Sequence, residues 1–342
     1  MTRAPRRRSA AAWALAWLLA GVSACASPPA ETPATERPKA PALFLGPLTS
    51  YVPAAGLRWM VVGELRRLAN HPGLLPALEP LFPDQGLQRY EQSAGLDLRR
   101  VETALIAGFD FGVLYAARTD AASERVTAAF IERLVSGPVV RRPHPDVVRI
   151  SGVVGTTPQT LVRLDDHLVA VAVGDPTPAR VVEAFARRKL RRSPAALDGH
   201  ALSSLPDDLA QAPLRFYAPG PFKGEWLLGA RGLLAQAVAV GITGVFVDGQ
   251  RVEARLVMTG DFGDDAPERL AGAWEDLAQS SLGKLLGFNH PEEPPRITRA
   301  GDDRLELSVS LGLGPMIAGL RAAVVADVWE ILDMTPPTLK TE

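Results

Sequence analysis

Two stretches of the chain read as copies of one another. "DAASERVTAAFIE" begins at Asp120 and "DDAPERLAGAWED" at Asp264, a constant offset of 144 residues. Identities fall at Asp120/Asp264, Ala122/Ala266, Glu124/Glu268, Arg125/Arg269 and Ala129/Ala273, and Phe130 is matched by Trp274. Both stretches have the chemistry of a helix start. An aspartate cap and a glutamate in the first turn satisfy free amides and complement the dipole. Val126/Phe130 and Leu270/Trp274, four residues apart, lie on one apolar stripe of each helix. Such a duplication constrains the fold more than composition does, because whatever surrounds one copy should have a counterpart around the other.

The flanks agree. Before each helix lies a strand pair, at 103–109 with 111–117, and at 242–247 with 252–259. The second pair turns on Asp248-Gly249, a two-residue hairpin signal. After each helix comes another pair, ending in "RLDDHLVAVAV" from Arg163 and "RAGDDRLELSV" from Arg299. The last strand alternates cleanly: Leu305, Leu307, Val309 and Leu311 on one side, Arg304, Glu306, Ser308 and Ser310 on the other. Helices at 178–189 and 315–332 close the two units. The expected fold is therefore α+β, two tandem repeats of strand pair–helix–strand pair–helix at 46–200 and 201–342. Antiparallel sheets would carry helices packed on one face. Residues 72–97 add a helical region to the first copy. This body resembles uncharacterised secreted bacterial proteins built from duplicated α+β modules, a likeness that implies architecture and nothing about function.

The opening of the chain gives an address. Arg3 and Arg6 to Arg8 precede fourteen uncharged residues, Ala11 to Ala24. A bilayer-spanning helix needs about 20 apolar residues, so this run fits an export signal better than a permanent span. The run ends in Val22, Ser23 and Ala24, a branched apolar residue and two small ones, and Cys25, the only cysteine of the chain, comes next. These four resemble the lipobox of bacterial lipoprotein precursors. The resemblance implies cleavage between Ala24 and Cys25, a diacylglyceryl group on the Cys25 sulfur and a membrane partner reached through it. The residue after Cys25 is Ala26, not the aspartate that retains some lipoproteins at the inner membrane, so a cell-envelope location at the outer membrane is favoured over the inner. Residues 25–45 read as a tether. Its sixteen residues 26–41 include five prolines, and extended polyproline geometry gives them a reach of roughly 50 Å.

Removing residues 1–24 takes away four arginines and no acids, which moves the net charge from −1 to −5. A mildly acidic body argues against nucleic acid as a partner. With its sole cysteine assigned to lipid, the body has no internal disulfide, and about 300 residues can bury a sufficient core without one.

Reaction signatures are not found. His71, His144, His167, His200 and His290 are scattered without zinc-helix spacing. His167 sits at an expected turn. No nucleophile elbow occurs, and "GLGPMIAG" at 312–319 places Pro315 where a phosphate cradle needs an amide. Paired acids at Asp165-Asp166, Asp207-Asp208, Asp264-Asp265, Glu292-Glu293 and Asp302-Asp303 fall where caps and turns favour aspartate. No catalytic residue, metal ligand or cofactor is assigned. Two features suggest contacts. "ARRKLRRS" gathers Arg187, Arg188, Lys189, Arg191 and Arg192 at a helix end, suited to dipole complementation or to anionic headgroups and glycans. "PGPFKGEWLLGARG" at 219–232 carries Phe222 and Trp226 on a Pro/Gly loop, a possible binding lip. The expectation is a lipid-anchored envelope protein that binds or scaffolds an envelope protein, lipid or glycan, with the cleft between halves as the natural seat. The alternative is a hydrolase of envelope polymers whose site is assembled only by the fold.

Overall fold

The computed structural model describes residues 41–325 except 72–73, 75–78, 80–82, 111, 120–123, 190–193 and 200. The signal segment, Ala24, Cys25, most of the tether, Arg191 and Arg192 lie outside the described residues, as does the helix expected at 315–332 beyond 325. The body from Pro41 on is one compact unit.

The first half contains β1 (Leu57–Gly63), α1 (Leu65–Ala69), α2 (Asp84–Ala94), β2 (Val101–Phe109), β3 (Gly112–Thr119) and α3 (Glu124–Glu132). It continues with β4 (Val139–His144), β5 (Val147–Val154), β6 (Thr157–Leu164), β7 (Leu168–Gly174) and α4 (Thr177–Ala186). After several 3-10 turns the second half runs β8 (Leu214–Pro219), β9 (Ala237–Asp248), β10 (Arg251–Gly260) and α5 (Ala266–Gln279). It ends with α6 (Ser281–Leu285), β11 (Arg296–Arg299), β12 (Arg304–Gly312) and α7 (Leu313–Val325). The expected strand pairs are present, as are the helices over their described residues. β1, α1, the β4–β5 hairpin and α6 are additions, and the strands join one antiparallel sheet.

That sheet has 12 strands in the order β11-β12-β10-β9-β8-β1-β2-β3-β7-β6-β5-β4. The halves meet where β1 pairs with β8, Met60 opposite Tyr217 and Val62 opposite Arg215. No cleft separates them in the sheet. Within the sheet the expected cleft is replaced by paired backbone, and the concavity both halves line lies at the end of that junction, where β1 begins and β8 ends.

Helices on one face is also corrected. In β6, Val162 pairs with Ala170 and its neighbour Leu161 with Val171, so the two point to opposite faces. Val162 shares a cluster with Ala179 and Val182 of α4, and Leu161 with Val126 and Phe130 of α3. The first half thus carries a helix on each face. Runs such as "LVAVAV" in β7 are apolar at every position because both sides are covered. In the second half α5 and α7 share one face, with Leu270, Leu305 and Leu307 in one cluster and Leu313, Ile317 and Val252 in another.

Register makes the two faces continuous across the sheet. The Met60 face holds Met60, Val62, Leu105, Ala107, Leu114 and Tyr217, packed under the turn at Leu48–Tyr51 and the 3-10 segments of residues 196–211. Among the described residues the opposite face, called here the Ile106 face, is covered at its two ends and not in its middle. The expected cap of α5 also differs. Asp265 occupies the N-cap without a side-chain bond to the helix, while Asp264 accepts from Arg299 at 3.1 Å.

Candidate functional site

One cross-strand row crosses the Ile106 face. Leu161 opposes Val171, which opposes Tyr115, then Ile106, Val61, Phe216, Ile242, Leu256 and Leu307 in turn. At its ends the row is buried, Leu161 beneath Phe130 of α3 and Leu307 beside Leu270 of α5. Between them Tyr115, Ile106 and Ile242 are 47%, 37% and 39% exposed. Val61, Phe216, Val171 and Leu256 are half-buried. From Val171 to Leu256 the row spans seven strands, about 29 Å at the usual strand spacing. It carries no charged side chain.

The strip is built rather than accidental. It lies on central strands whose other side is fully buried core, with Met60, Leu105 and Leu114 at 1% exposure or less. Trp59 extends the apolar surface by lying across Gly108, where a methyl group would collide with the indole. Leu214, exposed beside Gly63 and Gly244, widens it on the other side. Contiguous apolar surface of this extent is uncommon on a protein that works alone in water.

The other concavities are less promising. On the Met60 face of the second half a polar basin of about 640 Å³ is lined by Thr243, Glu253, Arg255, Arg296, Ser308 and Ser310. Its cations are already neutralised: Arg255 reaches Asp208 at 2.7 Å and Glu306 at 2.9 Å, and Arg296 reaches Glu293 at 3.3 Å. A smaller hollow of about 300 Å³ sits where β1 begins and β8 ends, beside the Arg58–Asp110 ion pair and Lys223.

Electrostatics add no acid–base pair. Asp97, Asp248 and Asp276 are held below the usual carboxylate range, chiefly by hydrogen bonds from Arg99, Arg251 and Arg231. That favours the ionised form, the opposite of what a general acid needs. Tyr51 and Tyr217 are pushed up by burial. Among the described residues no three His, Cys, Asp or Glu side chains could hold a metal ion, and no helix is long and apolar enough to cross a membrane.

The sequence-selected contacts divide. Phe222 is buried in the α5 cluster, while Trp226 stacks on it at 5.9 Å and is exposed. Of the basic run, Arg187 turns inward to Glu183 at 2.9 Å and Arg188 lies over the Phe44 ring at 5.8 Å. Lys189 is exposed. His167 is exposed at its turn, and His144 contacts the Pro41 carbonyl oxygen at 2.9 Å. Nothing in the sequence named the strip. Its members lie on separate strands, and only the register brings them into one row.

No protein-family model matches the chain, and no curated protein matches it. Among solved structures, crystal form III of TP0453 is similar at 9% identity with a TM-score of 0.48, over 82% of this chain and 99% of that one. Crystal form I of TP0453 gives 9%, 0.44, 82% and 98%. Neither likeness bears on what this chain does.

Proposed function

We propose that this is a lipid-anchored protein of the bacterial cell envelope, at the outer membrane, with a non-catalytic binding or scaffolding role exercised through the Ile106 face. The uncovered apolar strip is the observation that carries this. A wide sheet face with apolar side chains, no charged group and a rigid backing suits a docking surface, not a reaction site. Its edges point the same way. The outer strands β4 and β11 carry Arg141, Arg142, Pro143, Arg296 and Arg299, residues that discourage strand addition. The sheet is guarded where backbone could pair and left open where side chains could pack.

We also infer a duplicated body. β1-β2-β3-β7-β6 in the first half corresponds in order to β8-β9-β10-β12-β11 in the second, with α3 matching α5; α4 and α7 share a place in chain order but pack on opposite faces. The strip is centred on β1 and β8, the strands related by that correspondence. The β4–β5 hairpin has no counterpart.

Two measurements test the proposal. Intact-mass analysis of membrane-extracted protein should show loss of residues 1–24 with added acyl mass, and a freely soluble chain with a titratable Cys25 thiol would refute the anchor. The dye anilinonaphthalene sulfonate, which brightens on apolar surface, should bind the folded body, and Ile106→Asp should abolish most of that signal. Equal dye binding by the wild type and Ile106→Asp would remove the strip as the docking surface.

A further inference from the structure

The loop of residues 220–236, between β8 and β9, displays three consecutive large apolar side chains. Trp226 is 46% exposed, Leu227 41% and Leu228 82%. The loop is nevertheless firmly tied down. Phe222 is buried with Ala218, Leu233 and Val240, so the loop lies on the Ile106 side of the sheet. Arg231 grips Asp276 of α5 through two bonds, at 2.8 and 2.9 Å. Arg269 of the same helix donates twice to the Arg231 carbonyl, at 3.1 and 2.8 Å. Gly272 leaves the space the Arg231 guanidinium fills. Ala230, Arg231 and Gly232 all take left-handed backbone, with φ of 49°, 53° and 80°, a conformation that costs non-glycine residues energy. Polar anchors and a strained turn thus hold an apolar tip outward.

The occupant that fits such a tip is a lipid bilayer. Trp226, Leu227 and Leu228 are exposed and line neither of the hollows described above, so the tip offers side chains to insert rather than a cavity to fill. Tryptophan beside leucines is the composition that partitions into the boundary of headgroups and acyl chains. The flanking charges, Lys223 and Glu225, cancel, so the tip carries no electrostatic code for a particular protein patch. The described body begins at Pro41, sixteen residues after Cys25, and an extended tether of that length keeps it within roughly 50 Å of the surface that holds the anchor. We infer that Trp226, Leu227 and Leu228 dip into the bilayer interface as a second, reversible membrane contact. Alone, three side chains give weak partitioning; a tethered body meets the membrane at high effective concentration, which turns weak partitioning into steady contact.

The test does not depend on the anchor. All four core clusters lie between Leu43 and Ile317, within the compact unit that starts at Pro41. A chain beginning at Pro41 contains no cysteine, so Leu228→Cys supplies a unique thiol for the environment-sensitive fluorophore NBD. Phosphatidylcholine vesicles should brighten and blue-shift that label, and a nitroxide on the acyl chain should quench it. Added phosphatidylglycerol or high salt should change little. A label at Ser308→Cys, on the Met60 face, should not respond. The pair Trp226→Ser with Leu227→Ser, both exposed, should lower vesicle partitioning by about tenfold or more. An unresponsive label at position 228 would overturn the inference, as would binding that requires phosphatidylglycerol. So would binding abolished by Ile106→Asp but kept by the loop pair, an outcome that moves the lipid contact to the strip.

Discussion

Glu183 on α4 is buried, and two guanidinium groups meet its carboxylate: Arg149 of β5 at 2.5 Å and Arg187, one turn along the helix, at 2.9 Å. The clamp ties α4 to the Met60 face near the far edge of the sheet. A buried pair of this kind adds little over an apolar substitute, but removing one partner strands the others. Glu183→Gln should therefore destabilise the body by about 3 kcal/mol, below the top of the usual range because both arginines keep some water contact. Urea denaturation of the two proteins measures it, and a loss under about 1 kcal/mol would mean that solvent already screens the cluster. The same residues show how much of the basic run's setting the sequence leaves open. A string of arginines announces charge but not its partner, and Glu183 and Phe44 become partners only through folding.

At the scale of elements, the loop of residues 220–236 and helix α5 form one device. Arg231 holds the Asp276 carboxyl below its ordinary value, so the pair is fully formed above the normal carboxylate range and is lost as pH falls through the depressed value. Asp276→Asn should leave the global unfolding midpoint nearly unchanged, since both side chains are on the surface. It should speed limited proteolysis near Arg231 severalfold, because the strained turn loses its clamp. Acidification of the wild type should produce the same cleavage, and equal cleavage of variant and wild type at neutral pH would show that Arg269 suffices. How visible each element was in the sequence follows from what surrounds it. β12 alternates because its Met60 side is wet, so its strand character and inward face could be read directly. The hairpin β4–β5 hid in "VVRRPHPDVVRI", where edge protection by arginine and proline reads as loop. β1, "LRWMVVG", lacks alternation because a central strand is apolar on both sides. Adjacent apolar residues in β6 and β7 are what cover on both faces requires, a signal that the expectation of helices on one face left unused.

Across the whole molecule, the two halves share one part of their interior and each keeps a smaller cluster of its own. Met60 and Val62 of β1, Leu105 and Val162 of the first half, and Tyr217, Ala239 and Val257 of the second belong to a single cluster. Met60 is fully buried at the strand pair that joins the halves. A chain built of two similar units with separate cores would unfold in two steps; one whose units share a core should unfold in one. Met60→Ala removes most of a buried side chain from the shared region, where the backbone is pinned on both sides and cannot collapse. It should cost about 3–4 kcal/mol, and circular dichroism and tryptophan fluorescence should shift together. Trp59 and Trp274 lie in the cluster of the second half, while Phe130 and the strands it covers belong to another. Coincident curves would therefore report real cooperation between distant parts. If fluorescence moved while circular dichroism kept a second, unshifted transition, the sheet would be two domains that happen to share a hydrogen-bonded edge. The Ile106 strip, which crosses that edge, could then not remain a single surface when one half opens.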